Sequence, residues 1–184
     1  IRVWTAGCAT GEEAYSIAIL FAEALGDKLS QYKLQIFATD LDEDALNVAR
    51  RGIYPAGAMT EIPIELLEQY FLPLNRAFEV GKQLRDLIVF AKHNLVCDPP
   101  FLRQDLITCR NVLIYFDSTL QSKVLQTFHF GLVHEGFFFF FHSESVSHNE
   151  QLFIPFNRRE RLFRKIGSDL PPPHVATHSS INHI

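Results

Sequence analysis

The stretch AGCATGEEAYS, residues 6–16, combines a loop that contains two glycines with the start of a helical pattern. Gly7 and Gly11 would let the backbone approach a ligand closely. Such loops often bind phosphate, but no lysine follows Gly11, and Glu12 and Glu13 stand where a phosphate would need positive charge. Burying a pyrophosphate beside two carboxylates would be unfavourable. The loop therefore favours a cationic ligand.

The same residues have a second interpretation that needs no ligand. Thr10 and Glu13 have the spacing of a capping box, in which Thr10 would cap the first helix and Glu13 would reach back to the Thr10 amide. Glu13 is thus predicted to bind a ligand, to cap the helix, or to do both.

Further polar groups follow the other predicted strands. In an open α/β sheet, ligands bind at the carboxyl ends of the strands, so these groups are expected to meet at one edge. Asp40 stands where nucleoside-binding folds place an acid against ribose hydroxyls, with helix capping as its alternative role. Together with the first loop, the candidate groups at the strand ends are Gly7, Asp40, Asn94, Leu95, Arg110 and Asn111.

Alternating strand and helix patterns must position these groups. Strands are predicted at IRVWT, KLQIFATD, LIVFAKHNL, DLITCRN and GFFFFF, and a last one near RLFRKIG is expected to be an antiparallel edge strand. Asp42 and Asp117 are predicted to cap the second and last helices. The pattern indicates a mostly parallel, doubly wound α/β sheet with the phenylalanine strand in its interior. The predicted buried face of the first helix consists of Ile17, Leu20, Phe21 and Ala24.

Residues 52–87 interrupt this alternation and are predicted to form an inserted subdomain. They contain a helical pattern near residues 63–70 and two candidate strands, AFEV and KQLR. The tail at 167–184 lacks periodicity and is predicted to be disordered, with its histidines solvated rather than bound to metal. One domain is therefore expected over residues 1–166, without a metal site.

Composition limits the possible environments and partners. The 184 residues are 47% hydrophobic and carry a net charge of −4, which argues against a nucleic-acid partner. Three widely spaced cysteines fit a cytoplasmic protein, and the apolar runs are too short to insert into a membrane. Because Ile1 already begins a strand-like run, the sequence is expected to be a fragment of a longer protein.

Five segments resemble the CheR-type chemotaxis receptor methyltransferases, above all their fused methylesterase–methyltransferase relatives. The segments, spread over about residues 2–166, are RVWTAGCATGEEAYSIAI, FATDLDEDALNVARRGIY, HNLVCDPPF, DLITCRNVLIYFD and HSES. The resemblance implies a class I methyltransferase fold and S-adenosylmethionine (SAM) as the cofactor. It also implies methyl transfer to glutamate side chains of a methyl-accepting chemotaxis receptor or a related signalling protein.

The resemblance also implies roles for single residues. Tyr115 would lie near the transferred methyl group, although its apolar context would equally suit a buried aromatic, and Arg110 would share in the catalytic site. Residues 52–87 match a small subdomain that docks a receptor tail in some members. The helical domain that precedes this part in the family lies outside the sequence. The positions that match the family's cofactor loop and contacts are Gly7, Thr10, Glu13, Asp40, Asn94, Leu95, Arg110 and Asn111.

Three other functions compete with this one. An amino-group methyltransferase is suggested by DPPF, but that motif precedes the DLITCRN strand instead of following it. A nicotinamide-dependent oxidoreductase is disfavoured by the acidic first loop. A SAM-binding, catalytically impaired signalling module is the main alternative, because FFFFFHSES replaces the glycine-rich stretch that usually follows the fifth strand of the family.

Overall fold

The computed structural model describes residues 1–140 and 151–168. They form a seven-stranded sheet and a separate three-stranded sheet. In chain order, the strands are β1 (Arg2–Ala6), β2 (Gln35–Asp40), β3 (Ile53–Pro55), β4 (Phe71–Leu74), β5 (Ala77–Val80), β6 (Ile88–Lys92), β7 (Gln104–Cys109), β8 (Leu132–Phe140), β9 (Phe153–Asn157) and β10 (Leu162–Lys165). The helices are α1 (Glu12–Leu25), α2 (Glu43–Arg51), α3 (Ile64–Tyr70), α4 (Lys82–Arg85) and α5 (Ser118–Gly131).

The strand order of the large sheet is β6-β2-β1-β7-β8-β10-β9. The first five strands are parallel, and β10 runs antiparallel to both β8 and β9. This is the doubly wound order, with the first strand in the middle, and it confirms the predicted α/β sheet. The segment RLFRKIG forms β10, which is antiparallel as predicted but is not the edge strand, because β9 lies outside it. Pro155 could have indicated this, since a proline within a strand is tolerated at an edge.

The large sheet is centred on β1, whose residues from Val3 to Ala6 are almost completely buried. The Trp4 indole N–H donates a hydrogen bond to Thr39 Oγ1 at 2.9 Å. Its ring makes edge contacts at 5.2–5.3 Å with three aromatic rings from later parts of the chain, those of His93, Phe101 and Phe128. One side chain therefore joins β1, β2, the end of β6 and α5.

The phenylalanine strand lies in the interior of the sheet, as predicted, because β8 is paired with β7 on one side and with β10 on the other. Phe138 and Phe140 are buried, whereas Phe139 on the opposite face is half-buried. Residues 141–150 and 169–184 lie outside the described residues. The predictions about the altered end of this strand and about the tail with its histidines therefore concern residues outside the description.

The predicted buried face of α1 was only partly right. Ile17 is buried, but Leu20 is 67% exposed and Ala24 is also exposed. Half of the buried positions are alanines, and Leu20 lines a cavity instead of the core. The buried residues of α1 are Ala14, Tyr15, Ile17, Ala18, Ile19 and Ala22.

Residues 52–87 contain the small sheet, in the order β3-β5-β4, together with α3 and α4. AFEV forms β5 as expected, but KQLR forms the short helix α4 instead of a strand. That helix buries Leu84 and carries an ion pair from Arg85 to Glu79, a pairing that four residues of sequence do not reveal. No helix within the described residues is both long and apolar enough to cross a membrane.

Candidate functional site

A cavity of about 1120 Å³ lies at the carboxyl ends of β1, β2, β6 and β7. It is slightly larger than the roughly 300–1,000 Å³ typical of small-molecule sites. Thr10 is not among the residues that line it. The predicted site residues that do line it are Gly7, Glu13, Asp40, Asn94, Leu95, Arg110, Asn111 and Tyr115.

The loop after β1 needs glycine at two positions. Gly7 has φ 74°, and a Cβ atom there would lie 2.2 Å from Val112 Cγ2. Gly11 has φ 95°, and its Cβ would lie 2.8 Å from the Cβ of Ala49 on α2. Both separations are far below van der Waals contact, so the loop can pass between its neighbours only without side chains at these positions.

Asp40 organises this loop from the end of β2. Its carboxylate accepts hydrogen bonds from the Ala9 amide at 2.8 Å and from the Asp42 amide at 3.0 Å. The capping alternative for Asp40 was wrong, because Asp42 caps α2 by accepting from the amides of Asp44 and Ala45. A carboxylate has about four acceptor positions, so Asp40 retains acceptor capacity for a ligand in the cavity.

Glu13 reaches across to β7 rather than back to the start of its helix. One carboxylate oxygen accepts a 2.7 Å hydrogen bond from the Thr108 hydroxyl, and the other lies 3.5 Å from Arg110 Nη1. Burial raises the pKa of Glu13, whereas the hydrogen bond from Thr108 and the charge of Arg110 act in the opposite direction. The carboxylate is therefore partly desolvated and only loosely paired.

The predicted capping box does not form. Helix α1 begins at Glu12 with Gly11 as its N-cap residue, and the Thr10 hydroxyl donates to the Glu12 carboxylate. The positive φ of Gly11 starts the helix one residue later than the sequence suggested, which leaves Thr10 outside it. Glu13 is thereby free of any capping role.

A tight turn after β6 forms the wall of the cavity opposite the first loop. The Asn94 amide donates to the Asp98 carboxylate at 2.7 Å, and the Asn94 side-chain oxygen accepts from the Val96 amide at 2.9 Å. Sequence reasoning did not identify Asp98 as the residue that fixes this turn. Phe101 then packs on Phe37 with ring centroids 4.9 Å apart. The DPPF motif thus has a structural explanation within the β6–β7 connection.

Exposed apolar side chains also line the cavity. Tyr115 is 79% exposed, so its alternative interpretation as a buried aromatic was wrong. Leu20 and Leu41 are also largely exposed and line the same cavity. Leu20 was not predicted to line the site, because helical periodicity assigned it to the core. A lining that combines the Glu13 and Asp40 carboxylates with exposed apolar side chains suits a ligand that combines a cation with apolar surface.

Cys8 also lines the cavity but is not a nucleophile. It is 3% exposed, and burial, with contributions from the Asp40 and Glu13 carboxylates, raises the pKa of its thiol to about 12. The sulfur is therefore protonated at neutral pH and acts as a small apolar group.

The sequence that forms this cavity matches a known protein family. The sequence model described as "CheR methyltransferase, SAM binding domain" matches residues 1–162. The chain belongs to this family. Membership in the CheR methyltransferase family confirms the predicted class I methyltransferase fold and SAM as the cofactor.

Individual relatives agree with this assignment. A chemotaxis protein methyltransferase of Escherichia coli is 38% identical over 161 residues, which cover 83% of this chain and 54% of that protein. A chemotaxis protein methyltransferase of Borreliella burgdorferi is 37% identical over 155 residues, covering 83% and 55% respectively. An uncharacterized 104.1 kDa protein of Rhodobacter capsulatus is 37% identical over 172 residues, covering 94% of this chain and 18% of that protein.

The chain spans about half the length of the two curated chemotaxis methyltransferases and a smaller part of the Rhodobacter protein. What it shares with them is therefore the SAM-binding domain of the CheR family.

Replacing Gly7 with alanine is expected to lower the free energy of unfolding by about 2–4 kcal/mol, because the new methyl group overlaps Val112 Cγ2 and the backbone keeps a positive φ. Affinity for S-adenosylhomocysteine should fall at least about tenfold. Urea denaturation and titration calorimetry measure the two effects.

Two further variants test whether overlap with Val112 causes the effect of Gly7→Ala. Gly57→Ala adds a methyl group with nothing within 4 Å and is expected to be neutral. In a Val112→Ala background, Gly7→Ala should cost less than it does alone. Equal costs in the two backgrounds would contradict the proposed overlap.

Proposed function

We propose that this chain is the catalytic domain of a protein-glutamate O-methyltransferase. It acts in the cytoplasm and transfers the methyl group of SAM to glutamate side chains of a methyl-accepting chemotaxis receptor or a related signalling protein. The observation that carries this proposal is the cavity, which is lined by the carboxylates of Glu13 and Asp40 together with the residues that follow β6 and β7. The Escherichia coli and Borreliella burgdorferi relatives are both named chemotaxis protein methyltransferase, which supports methyl transfer in chemotaxis.

The residues present fit the cofactor by their chemistry. Asp40 has acceptor capacity left for ribose hydroxyls. Glu13, partly desolvated at the N-terminal turn of α1, suits the ammonium group of the amino acid part of SAM. The turn that carries Asn94 and Leu95 offers backbone groups and an apolar side chain to a base. A cavity of about 1120 Å³ leaves room for a substrate side chain beside the cofactor.

The reaction asks for alignment rather than for an acid or a base. A glutamate carboxylate is already ionised at pH 7, and correct orientation of two reactants is worth about 7–11 kcal/mol in favourable systems. SAM, when bound, supplies a methyl group on a cationic sulfur. The chain's own residues hold the two groups in line and exclude water from the carboxylate.

Three residues that follow β7 are assigned to this alignment. Arg110 Nη1 lies 3.5 Å from the Glu13 carboxylate, and its guanidinium lies 5.9 Å from the ring centre of Phe139. Asn111, which follows it, has φ 57° and lines the cavity. Tyr115 is exposed and lines the cavity, which supports a contact between its ring and the incoming glutamate side chain. We assign Arg110 and Asn111 to cofactor fixation and Tyr115 to the methyl-transfer site.

The inserted subdomain, residues 52–87, is the proposed docking surface for the receptor. β3 and β4 are both edge strands of its sheet and therefore present unpaired backbone groups. Ile53, Leu72 and Leu74 are exposed on these strands. An extended receptor segment could add to either edge as a further strand.

Methyl transfer is tested with radiolabelled SAM and a methyl-accepting receptor, followed by mild base. We expect label on the receptor that base releases as volatile methanol, because esters hydrolyse whereas N-methyl groups do not. A receptor whose methyl-accepting glutamates are replaced by alanine is the control. Base-stable label would indicate an amino-group methyltransferase. Absence of label with S-adenosylhomocysteine still bound in calorimetry would instead favour a signalling module without activity.

The ribose assignment of Asp40 is tested by Asp40→Asn. Loss of a charge-assisted hydrogen bond is expected to weaken S-adenosylhomocysteine binding about tenfold or more. The 2′,3′-dideoxy analogue, which lacks the hydroxyls, should lose much less. Asp42→Asn is the matched control, since asparagine caps helices as well as aspartate does. Equal losses for both ligands would show that Asp40 acts only through the loop.

The affinity for SAM is expected to depend on Glu13 ionisation. Because burial raises the pKa of Glu13, this side chain is protonated in ligand-free protein over part of the acidic range where an exposed glutamate is ionised. Without ligand, its ionised form costs stability above the raised pKa, and the cost disappears as the pH falls. A cationic ligand favours the ionised form, so affinity should decrease as the pH falls through the raised pKa.

Titration calorimetry at constant ionic strength measures this profile. Glu13→Gln is expected to bind more weakly at neutral pH and to lose the acidic decline. An unchanged pH profile in Glu13→Gln would assign the dependence to another group.

A further inference from the structure

The loop at residues 7–11 is held by hydrogen bonds to two separate parts of the fold, the end of β2 and the inserted subdomain. The amides of Gly7 and Cys8 donate to the Thr39 carbonyl at 2.8 and 2.9 Å. The Ala9 amide donates to the carboxylate at the end of β2. A fourth bond comes from the inserted subdomain, where the Tyr54 hydroxyl donates to the Thr10 carbonyl at 2.7 Å.

Tyr54 is fixed in place by its surroundings. It is 4% exposed, and its ring lies edge-on to Tyr15 with centroids 6.2 Å apart. A Cβ atom on Gly11 would lie 3.2 Å from the Tyr54 hydroxyl oxygen, so the loop and the ring fit closely. Burial, followed by the nearby Glu12 charge, raises the pKa of the hydroxyl, which therefore remains a donor at neutral pH.

The small sheet determines where this hydroxyl lies. Tyr54 is the central residue of β3 and pairs with Phe78 of β5. The Val80 amide donates to the Gly52 carbonyl at 2.8 Å, which fixes the start of β3 just after α2. Any shift of the small sheet relative to the large one would therefore move the Tyr54 hydroxyl.

We propose that Tyr54 is a positioning residue for the cofactor. It does not line the cavity, and neither does its acceptor residue, Thr10, whereas Ala9 and Glu12 on either side of Thr10 do. Tyr54 thus acts through the backbone and holds the loop in the shape that binds SAM. The inserted subdomain accordingly contributes to cofactor affinity without touching the cofactor. This inference rests on the proposed cofactor site.

The chain contains two matched controls for the loss of one buried hydroxyl. Tyr15 and Tyr70 are 3% and 5% exposed. The Tyr15 hydroxyl donates to the Ala49 carbonyl at 2.8 Å, and that of Tyr70 to the Glu23 carboxylate at 2.6 Å. Their acceptors lie on α2 and α1, outside the loop.

The test compares the Tyr54→Phe, Tyr15→Phe and Tyr70→Phe variants in calorimetry with S-adenosylhomocysteine. Phenylalanine preserves the ring packing, so all three should fold, as urea denaturation would verify. We expect Tyr54→Phe to raise Kd about 3- to 10-fold, which corresponds to one hydrogen bond, and the other two to stay within about twofold of wild type. In methyl transfer, the KM for SAM should rise while kcat stays unchanged, because the loop holds ground and transition states alike.

Two outcomes would overturn the inference. In one, Tyr54→Phe binds as tightly as wild type. In the other, all three variants lose affinity in proportion to their lost stability, which would reduce Tyr54 to a purely structural role. The proposed function fails differently: the wild type itself would then transfer no methyl group, while the comparison of binding constants would still stand. Failure of wild type to bind S-adenosylhomocysteine would overturn the cofactor site and this inference together.

Discussion

The contacts of the Trp4 indole hold together the parts of the chain whose ends form the cavity. Its N–H donates to the Thr39 side chain, and the carbonyl of that same residue accepts the amides of Gly7 and Cys8. Its ring faces His93 at the end of β6 and Phe101 in the next connection. Since Trp4 is fully buried, none of these neighbours can move far without opening a void, which would cost several kcal/mol.

The electrostatics of the cavity follow from the same arrangement. Helix α1 starts directly after the loop with Glu12 and Glu13 in its first turn, where the helix dipole favours negative charge. Related loops use that position to bind phosphate, but here the protein supplies the anions itself. Arg110 offsets the charge of Glu13 only from 3.5 Å, so the site retains a preference for cations. The same fold thereby accepts a nucleoside that carries a positive charge instead of a phosphate.

Much of the fold and of the candidate site could be predicted from the sequence, because the residues that determine them are close together in the chain. Periodic apolar runs gave the parallel strands, and Asp42 and Asp117 cap their helices as expected. Eight of the nine candidate site residues line one cavity because parallel strands bring their carboxyl ends to the same edge. The predictions fail where a residue that is distant in sequence determines the local structure. Gly11 is the N-cap residue, so α1 begins one residue later than predicted. It packs too close to Ala49 for any side chain, and no local sequence pattern reveals that contact.

The partnerships at the site were the least predictable feature. The Thr108–Glu13 and Tyr54–Thr10 bonds join residues 95 and 44 positions apart, so neither spacing nor composition indicates them. Pairing between residues far apart in sequence also affects how the protein folds during its synthesis. β1 lies between β2 and β7, and the Arg2 amide donates to Asp105, 103 residues later. At about 5–20 residues per second, a ribosome needs on the order of ten seconds to supply that partner. One side of β1 therefore remains unpaired until the ribosome has synthesised β7.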